Sequence, residues 1–209
     1  MFSAIGIYKQ NKIFYSERPP YFPPAMFQEY PFSDSRVDKK NETYASLREL
    51  LKLLGLDLQN FCKKSWNPLG TFIMPGQTVL LKPNLVRDSK IWSSDASGLI
   101  THGSLIRAVA DYTYIALKGK GRIIIADGPM DDADMDKIIG ITGLKKIKDF
   151  YKDTAGFDLE IYDLRKEHVI RRNGEIVNMI PLKGDPAGYT SIDLGAISEF
   201  RSDALDYSM

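Results

Sequence analysis

The chain has 209 residues, with 28 Lys and Arg against 27 Asp and Glu and a formal net charge of +1, a balance that offers no general attraction to nucleic acid or an anionic membrane. With 44% hydrophobic and 26% charged residues the composition is that of an ordinary globular protein, large enough to bury roughly 70% of its unfolded surface, and no apolar run approaches the ~18 residues of a transmembrane helix. The lone cysteine, Cys62, excludes an internal disulfide and an iron–sulfur cluster, and a partly buried, inert thiol is expected.

Residues 2–8 and 12–16 alternate in polarity about a turn at Gln10 and Asn11, which predicts an N-terminal β-hairpin. The same stretch has no basic leader before an apolar core, so the expected compartment is the cytoplasm. Next, ERPPYFPPAMFQEYPF packs five of the 11 prolines among aromatics. Proline at that density forbids helix and central strand, so an irregular arm packing its rings on the domain is expected, in preference to a ligand for a proline-recognising partner. From Asn41, a cap residue, Tyr44, Leu47, Leu50, Leu51 and Leu54 recur at helical spacing up to a stop at Gly55. A further helical turn or two is expected within 58–66.

The stretch 77–136 reads as a βαβ unit. Residues 78–82 form a short apolar run suited to a parallel strand, which Lys82, Pro83 and Asn84 end. The stretch 87–100 lacks periodicity and reads as a lid, a binding loop or a disordered segment. Thr101 is the expected cap of a helix whose Leu105, Ile106, Val109, Tyr112, Ile115 and Ala116 face the sheet, with a stop at Gly119. Residues 122–126 form the second buried strand, which turns at Asp127-Gly128-Pro129 into an acidic helix start over 131–136. That helix continues to Tyr151 with a break near Gly140 and Gly143, its Lys145, Lys146, Lys148 and Lys152 forming a solvated face. A third strand is expected at 159–162. A hairpin of 169–172 and 175–180 follows, joined by Asn173-Gly174, then a short strand at 189–192 and a frayed end over 201–209.

The expected architecture is therefore α/β: a mostly parallel sheet of βαβ units with helices on both faces, plus N-terminal and C-terminal β-hairpins. One α/β domain spans 1–209, divided into the hairpin and Pro/aromatic arm (1–40), the helices and βαβ core (41–165), and the hairpin and irregular tail (166–209).

Ligands of open α/β sheets bind beyond the carboxyl ends of the strands. Lys82, Asn84, Thr101, His102, Asp127, Asp131 and Asp132 all belong to that edge. Lys82 would supply a positive charge for a phosphate or carboxylate, Asn84 an amide, and the helix start at Thr101 free N–H groups. His102, disfavoured as a cation by the helix dipole, would be a neutral imidazole able to move a proton. Asp127 would be a base or metal ligand, and Asp131 and Asp132 further ligands of a divalent metal. Blander roles compete at each position: a cap for Thr101, a satisfied edge histidine for His102, an exposed turn lysine for Lys82 and dipole-complementing charges for the aspartates. A calcium-loop reading of Asp132, Asp134 and Asp136 fails, because Lys137 stands where glycine is needed and Gly143 where a bidentate Glu is needed. No P-loop, GxGxxG, HExxH or GxSxG motif occurs.

In PGQTVLLKPNLV, THGSLIRAVADY and GRIIIADGP, in that order over 75–129, the chain resembles the bacterial and archaeal domain-of-unknown-function 362 family, with a weaker echo in IPLKGDPAGYTSIDLG. The resemblance implies an α/β domain, often fused to ferredoxin-like iron–sulfur modules, with no general reaction attached. This chain departs from the family in three ways: Gly103 stands where the family usually has proline, the ferredoxin module is missing, and the family's lysine-rich second half has no counterpart. It resembles an N-terminal half.

Two functional expectations follow. The first is a cytoplasmic domain, open to an enzymatic role, that binds a small anionic or metal-bound ligand at the Lys82, Asn84, His102 and Asp127 edge, with 87–100 closing over it. The second is a non-catalytic binding or assembly module, an incomplete relative that needs a homo-oligomer or partner chain; neither expectation involves nucleic acid or membrane.

Overall fold

The computed structural model describes residues 5–10, 15–89 and 98–195. The fold is mixed α/β. Strands β1 (Thr78–Leu81), β2 (Arg122–Asp127) and β3 (Glu160–Asp163) lie side by side in that order and pair in parallel. Helix α1 (Glu42–Leu53) precedes them, α2 (Gly103–Leu117) joins β1 to β2, and α3 (Met135–Thr142) with α4 (Leu144–Ala155) joins β2 to β3. The break between α3 and α4 falls at Gly143, whose φ of 66° suits glycine.

Strand register decides which residues are buried. Val79 lies opposite Ile123, and Leu81, Ile125 and Ile161 share one line across the sheet. All five pack into the core made with α2, α3 and α4. The alternate residues point the other way: Leu80 is 55% exposed, and Arg122 reaches across that face to Glu160 at 2.8 Å. Helices thus cover one face of the sheet among the described residues, not both as expected. Three strands wound in sequence by crossovers of one hand carry both connections on the same side.

Helix α2 is the centre of the molecule. Its Ile106, Ala110 and Leu117 join the core against the sheet, while Ala108 and Tyr112 pack with Tyr44 and Leu51 of α1 and with Trp66. Being enclosed on both sides, it also buries Arg107, Asp111 and Thr113. The Pro/aromatic arm fills the remaining space, with Tyr21, Tyr30 and Phe32 buried in the main core. Arg107 Nη1 donates to Pro20 O at 2.9 Å and Nη2 to Tyr30 Oη at 3.1 Å, so the arm satisfies the buried guanidinium. A second clamp pairs Arg48 of α1 with Glu29 of the arm at 2.6 Å, with Tyr112 Oη donating to Glu29. Asn41 caps α1 by accepting from the Tyr44 N–H and donates to the carbonyls of Tyr21 and Phe22.

Several sequence expectations need correction. Residues 5–10, 15 and 16 are in no strand, and the rest of the expected N-terminal hairpin lies outside the described residues. Residues 189–192 are also in no strand; Tyr189 instead donates from Oη to Leu164 O at 2.9 Å. Cys62 is exposed, not partly buried. The end at 201–209 lies outside the described residues. Beyond β3, strands β4 (Glu167–Arg172) and β5 (Glu175–Pro181) pair antiparallel about Asn173 and Gly174, whose φ values of 53° and 86° suit a tight hairpin turn.

Candidate ligand groove at the edge of the sheet

The carboxyl end of β1 runs into Lys82, Pro83 and Asn84, and the chain returns to the same place at Ile100 and Thr101. A backbone bridge between Leu85 and Ile100 ties the two passes together. Thr101 N donates to Asn84 O at 2.7 Å, and Asn84 N donates to Thr101 Oγ1 at 3.0 Å. The stretch 87–100 is therefore pinned at its base; residues 90–97, the centre of the expected lid, lie outside the described residues.

Lys82, Asn84 and Thr101 line one cavity of about 360 Å³ at the edge of β1, together with Leu80 of β1 and with Leu105 and Val109 of α2. Lys82 is bound to Asp127 at 2.8 Å, with its side chain 58% exposed. An ammonium carries three donors, so the contacts to Asp127 and to Pro83 O, at 3.4 Å, leave one uncommitted. The Asn84 side-chain amide makes no hydrogen bond to the described residues, and the Thr101 hydroxyl, which accepts from Asn84 N, retains its own proton to donate. The cavity thus combines a cation, an amide and a hydroxyl with apolar side chains in its lining.

Asp127 sits beneath this arrangement. Its Oδ2 accepts from Leu85 N at 2.6 Å and its Oδ1 from Gly128 N at 2.9 Å, in addition to the Lys82 contact. The carboxylate holds the chain leaving β1 against the end of β2. Asp127, expected as a base or metal ligand, thus makes three contacts that brace the chain.

His102, not Thr101, is the cap of α2: its Nδ1 accepts from Ser104 N at 3.2 Å and lies 2.9 Å from Ser104 Oγ. An accepting Nδ1 puts the ring proton on Nε2. The ring stacks on Tyr15 with 4.4 Å between centroids and meets Tyr21 edge-on. Burial lowers its pKa below the ordinary value. That direction favours the neutral ring, through burial and not through the helix dipole, and His102 does not line the cavity.

The aspartates do not converge. Asp131 pairs with Arg171 of β4 at 2.6 Å and Asp132 with Arg87 at 2.6 Å, while Asp127 is held by Lys82. Each acid has its own cation, and among the described residues no group of three or more His, Cys, Asp or Glu side chains could hold a metal ion. The acidic helix start is also displaced: Asp134 caps α3 by accepting from Lys137 N, and only Asp136 lies in the first turn.

Two features of this edge escaped the sequence reading. Arg165, just past β3, is tied to Asp163 and donates from Nη1 to the carbonyls of Met130, Asp131 and Ala133, fixing the turn after β2. Its signal was the Asp-x-Arg spacing at the end of the third strand. Leu105 and Val109, four residues apart and expected on the sheet face, also line the groove.

Compared with known proteins, the chain matches no protein-family model, no curated protein and no solved structure.

Proposed function

We propose that the groove between β1 and α2 binds a small molecule with an anionic head and an apolar body. Lys82 and the Asn84 amide take the head, through charge-assisted and neutral hydrogen bonds, while Leu80, Leu105 and Val109 take the body. The observation that carries this reading is the convergence of Lys82, Asn84 and Thr101 on one cavity that Leu80, Leu105 and Val109 also line. The reading is one of binding in preference to catalysis, because His102 and Asp127, the candidate proton carriers, are both engaged outside the cavity. The resemblance to the domain-of-unknown-function 362 family rests on three sequence stretches alone. Among the described residues no helix is long and apolar enough to cross a membrane. We place the protein in the cytoplasm, where an exposed lone thiol such as Cys62 stays reduced.

The test is a thermal-shift titration of the full chain with inorganic phosphate and with a homologous series of straight-chain carboxylates. A ligand that binds only the native state raises Tm in proportion to its occupancy. The wild-type response should grow with chain length as the apolar side chains are covered, and Lys82→Ala should abolish it. An equal response in Lys82→Ala would refute the site. A second reading, an assembly module, is favoured by a different observation, the exposure of strand β5.

A further inference from the structure

Strand β5 is exposed along its whole length. Ile176, Val177, Met179 and Ile180 are 52%, 53%, 48% and 42% exposed, around Asn178. Runs of exposed apolar residues on an edge strand are avoided in monomers, which place Lys or inward charges there. Residues 176–180 carry no charge. Strand β4 lies on the domain side of the hairpin, since Val169 is buried and its N–H donates to Asp131 O at 2.8 Å. The edge of β5 beyond β4 is therefore outermost, and no strand pairs with it among the described residues.

The order of residues in β5 is self-complementary. Laid antiparallel against a second copy about Asn178, Ile176 faces Ile180, Val177 faces Met179, and Asn178 faces Asn178, whose amide both donates and accepts. Glu175 falls opposite Pro181, so no like charges oppose one another. The Met179 N–H is held by Asn178 Oδ1 at 2.9 Å, a local bond that a carbonyl of the second copy would replace. The one irregularity is a bulge, where Ile170 pairs with Asn178 and Arg171 with Ile176, leaving Val177 as the extra residue.

We propose that β5 pairs antiparallel with β5 of a second copy about a two-fold axis at Asn178, joining two hairpins into a four-stranded sheet. This gives the assembly reading its partner and is independent of the groove at β1.

The test is sedimentation of the full chain from about 1 µM to about 200 µM, where a homodimer declares itself by concentration dependence. The expected species is a dimer of twice the 23.6 kDa chain mass. Asn178→Lys places two ammonium groups against each other at the axis and should weaken dimerisation by about tenfold or more. In a Cys62→Ser background, Asn178→Cys should oxidise to a covalent dimer, because facing residues at such an axis approach within disulfide reach. Ile176→Cys, which faces Ile180, should stay reduced under the same conditions. A wild-type chain monomeric throughout overturns both this proposal and the assembly reading. A dimer that Asn178→Lys leaves intact, or equal oxidation of the two cysteine variants, overturns the strand pairing and leaves assembly to another surface.

Discussion

Arg107 and Asp111, one turn apart on α2, form an ion pair at 2.7 Å with both side chains fully removed from solvent. Tyr151 Oη donates to Asp111 Oδ1 at 2.6 Å and Tyr44 Oη to Oδ2 at 3.1 Å, while the guanidinium lies 4.0 Å from the centre of the Phe150 ring. Burial opposes the charge on Arg107, but Asp111, Tyr151 and Tyr30 outweigh it and the net shift is upward. Burial, reinforced by Asp111, holds the Tyr44 and Tyr151 hydroxyls protonated as donors. The pair thus joins α1, α4 and the Pro/aromatic arm to the central helix. Removing one partner leaves the other charge buried, so Asp111→Asn should cost about 3–5 kcal/mol. Tyr151→Phe, which removes one donor to the carboxylate, should cost about 1.5–3 kcal/mol. Urea unfolding checks both.

Gly103 opens α2 where a side chain has no room: an added Cβ would fall 1.8 Å from Thr142 O and 2.6 Å from Tyr21 Cε2. Gly103→Ala must push apart the α2 start, the end of α3 and the arm, and should lower stability by about 1–3 kcal/mol. Gly140 inside α3 has open space, so Gly140→Ala should leave stability unchanged or raise it by about 0.5–1 kcal/mol. A thermal melt in which both variants behave alike would show that the close approach at Gly103 is unimportant.

Lys82 and Asp127 should separate binding from stability. The Lys82 ammonium is largely exposed, and Lys82→Ala should change unfolding free energy by less than about 1 kcal/mol while removing the phosphate and carboxylate response. Asp127→Ala strands the N–H groups of Leu85 and Gly128 and should cost about 2–4 kcal/mol. Paired unfolding and thermal-shift titrations of the two variants read this difference.

His102 predicts a pH dependence of stability. Its folded-state pKa lies below the ordinary 6.5 because burial disfavours the charged ring. Between the two values the unfolded chain binds more protons than the folded one. Stability is therefore complete above about pH 6.5 and declines as pH falls toward the folded pKa. His102→Asn keeps a residue able to cap α2 while removing the titration. Unfolding curves between about pH 7.5 and about pH 5.5 should slope less for the variant than for the wild type; identical slopes would assign the effect elsewhere.

Local chemistry made much of the framework legible. The apolar runs of β1 and β2, the cap at Asn41, the break at Gly143 and the Asn173-Gly174 hairpin each depend on residues within a few positions of one another. Lys82, Asn84 and Thr101 were legible as a group because consecutive elements of a parallel sheet return to the same edge. Arg107 and Asp111 were not, since polar residues on a helix read as solvent-facing until α1 and the arm are known to close over them. The three aspartates read as one acidic cluster, but Lys82, Arg171 and Arg87 come from separate parts of the chain to divide them.

The sequence by itself determined the three core strands, the C-terminal hairpin, the helices around them and the polar end of the sheet, because backbone propensity and apolar period are local; the strands it suggested near the N-terminus and at 189–192 are not formed. Only the tertiary structure decided which charges are neutralised and, among the described residues, which face of the sheet is uncovered by helices and which strand edge has no partner. Those outcomes depend on burial and on contacts between residues distant in the chain, and no spacing along it encodes them.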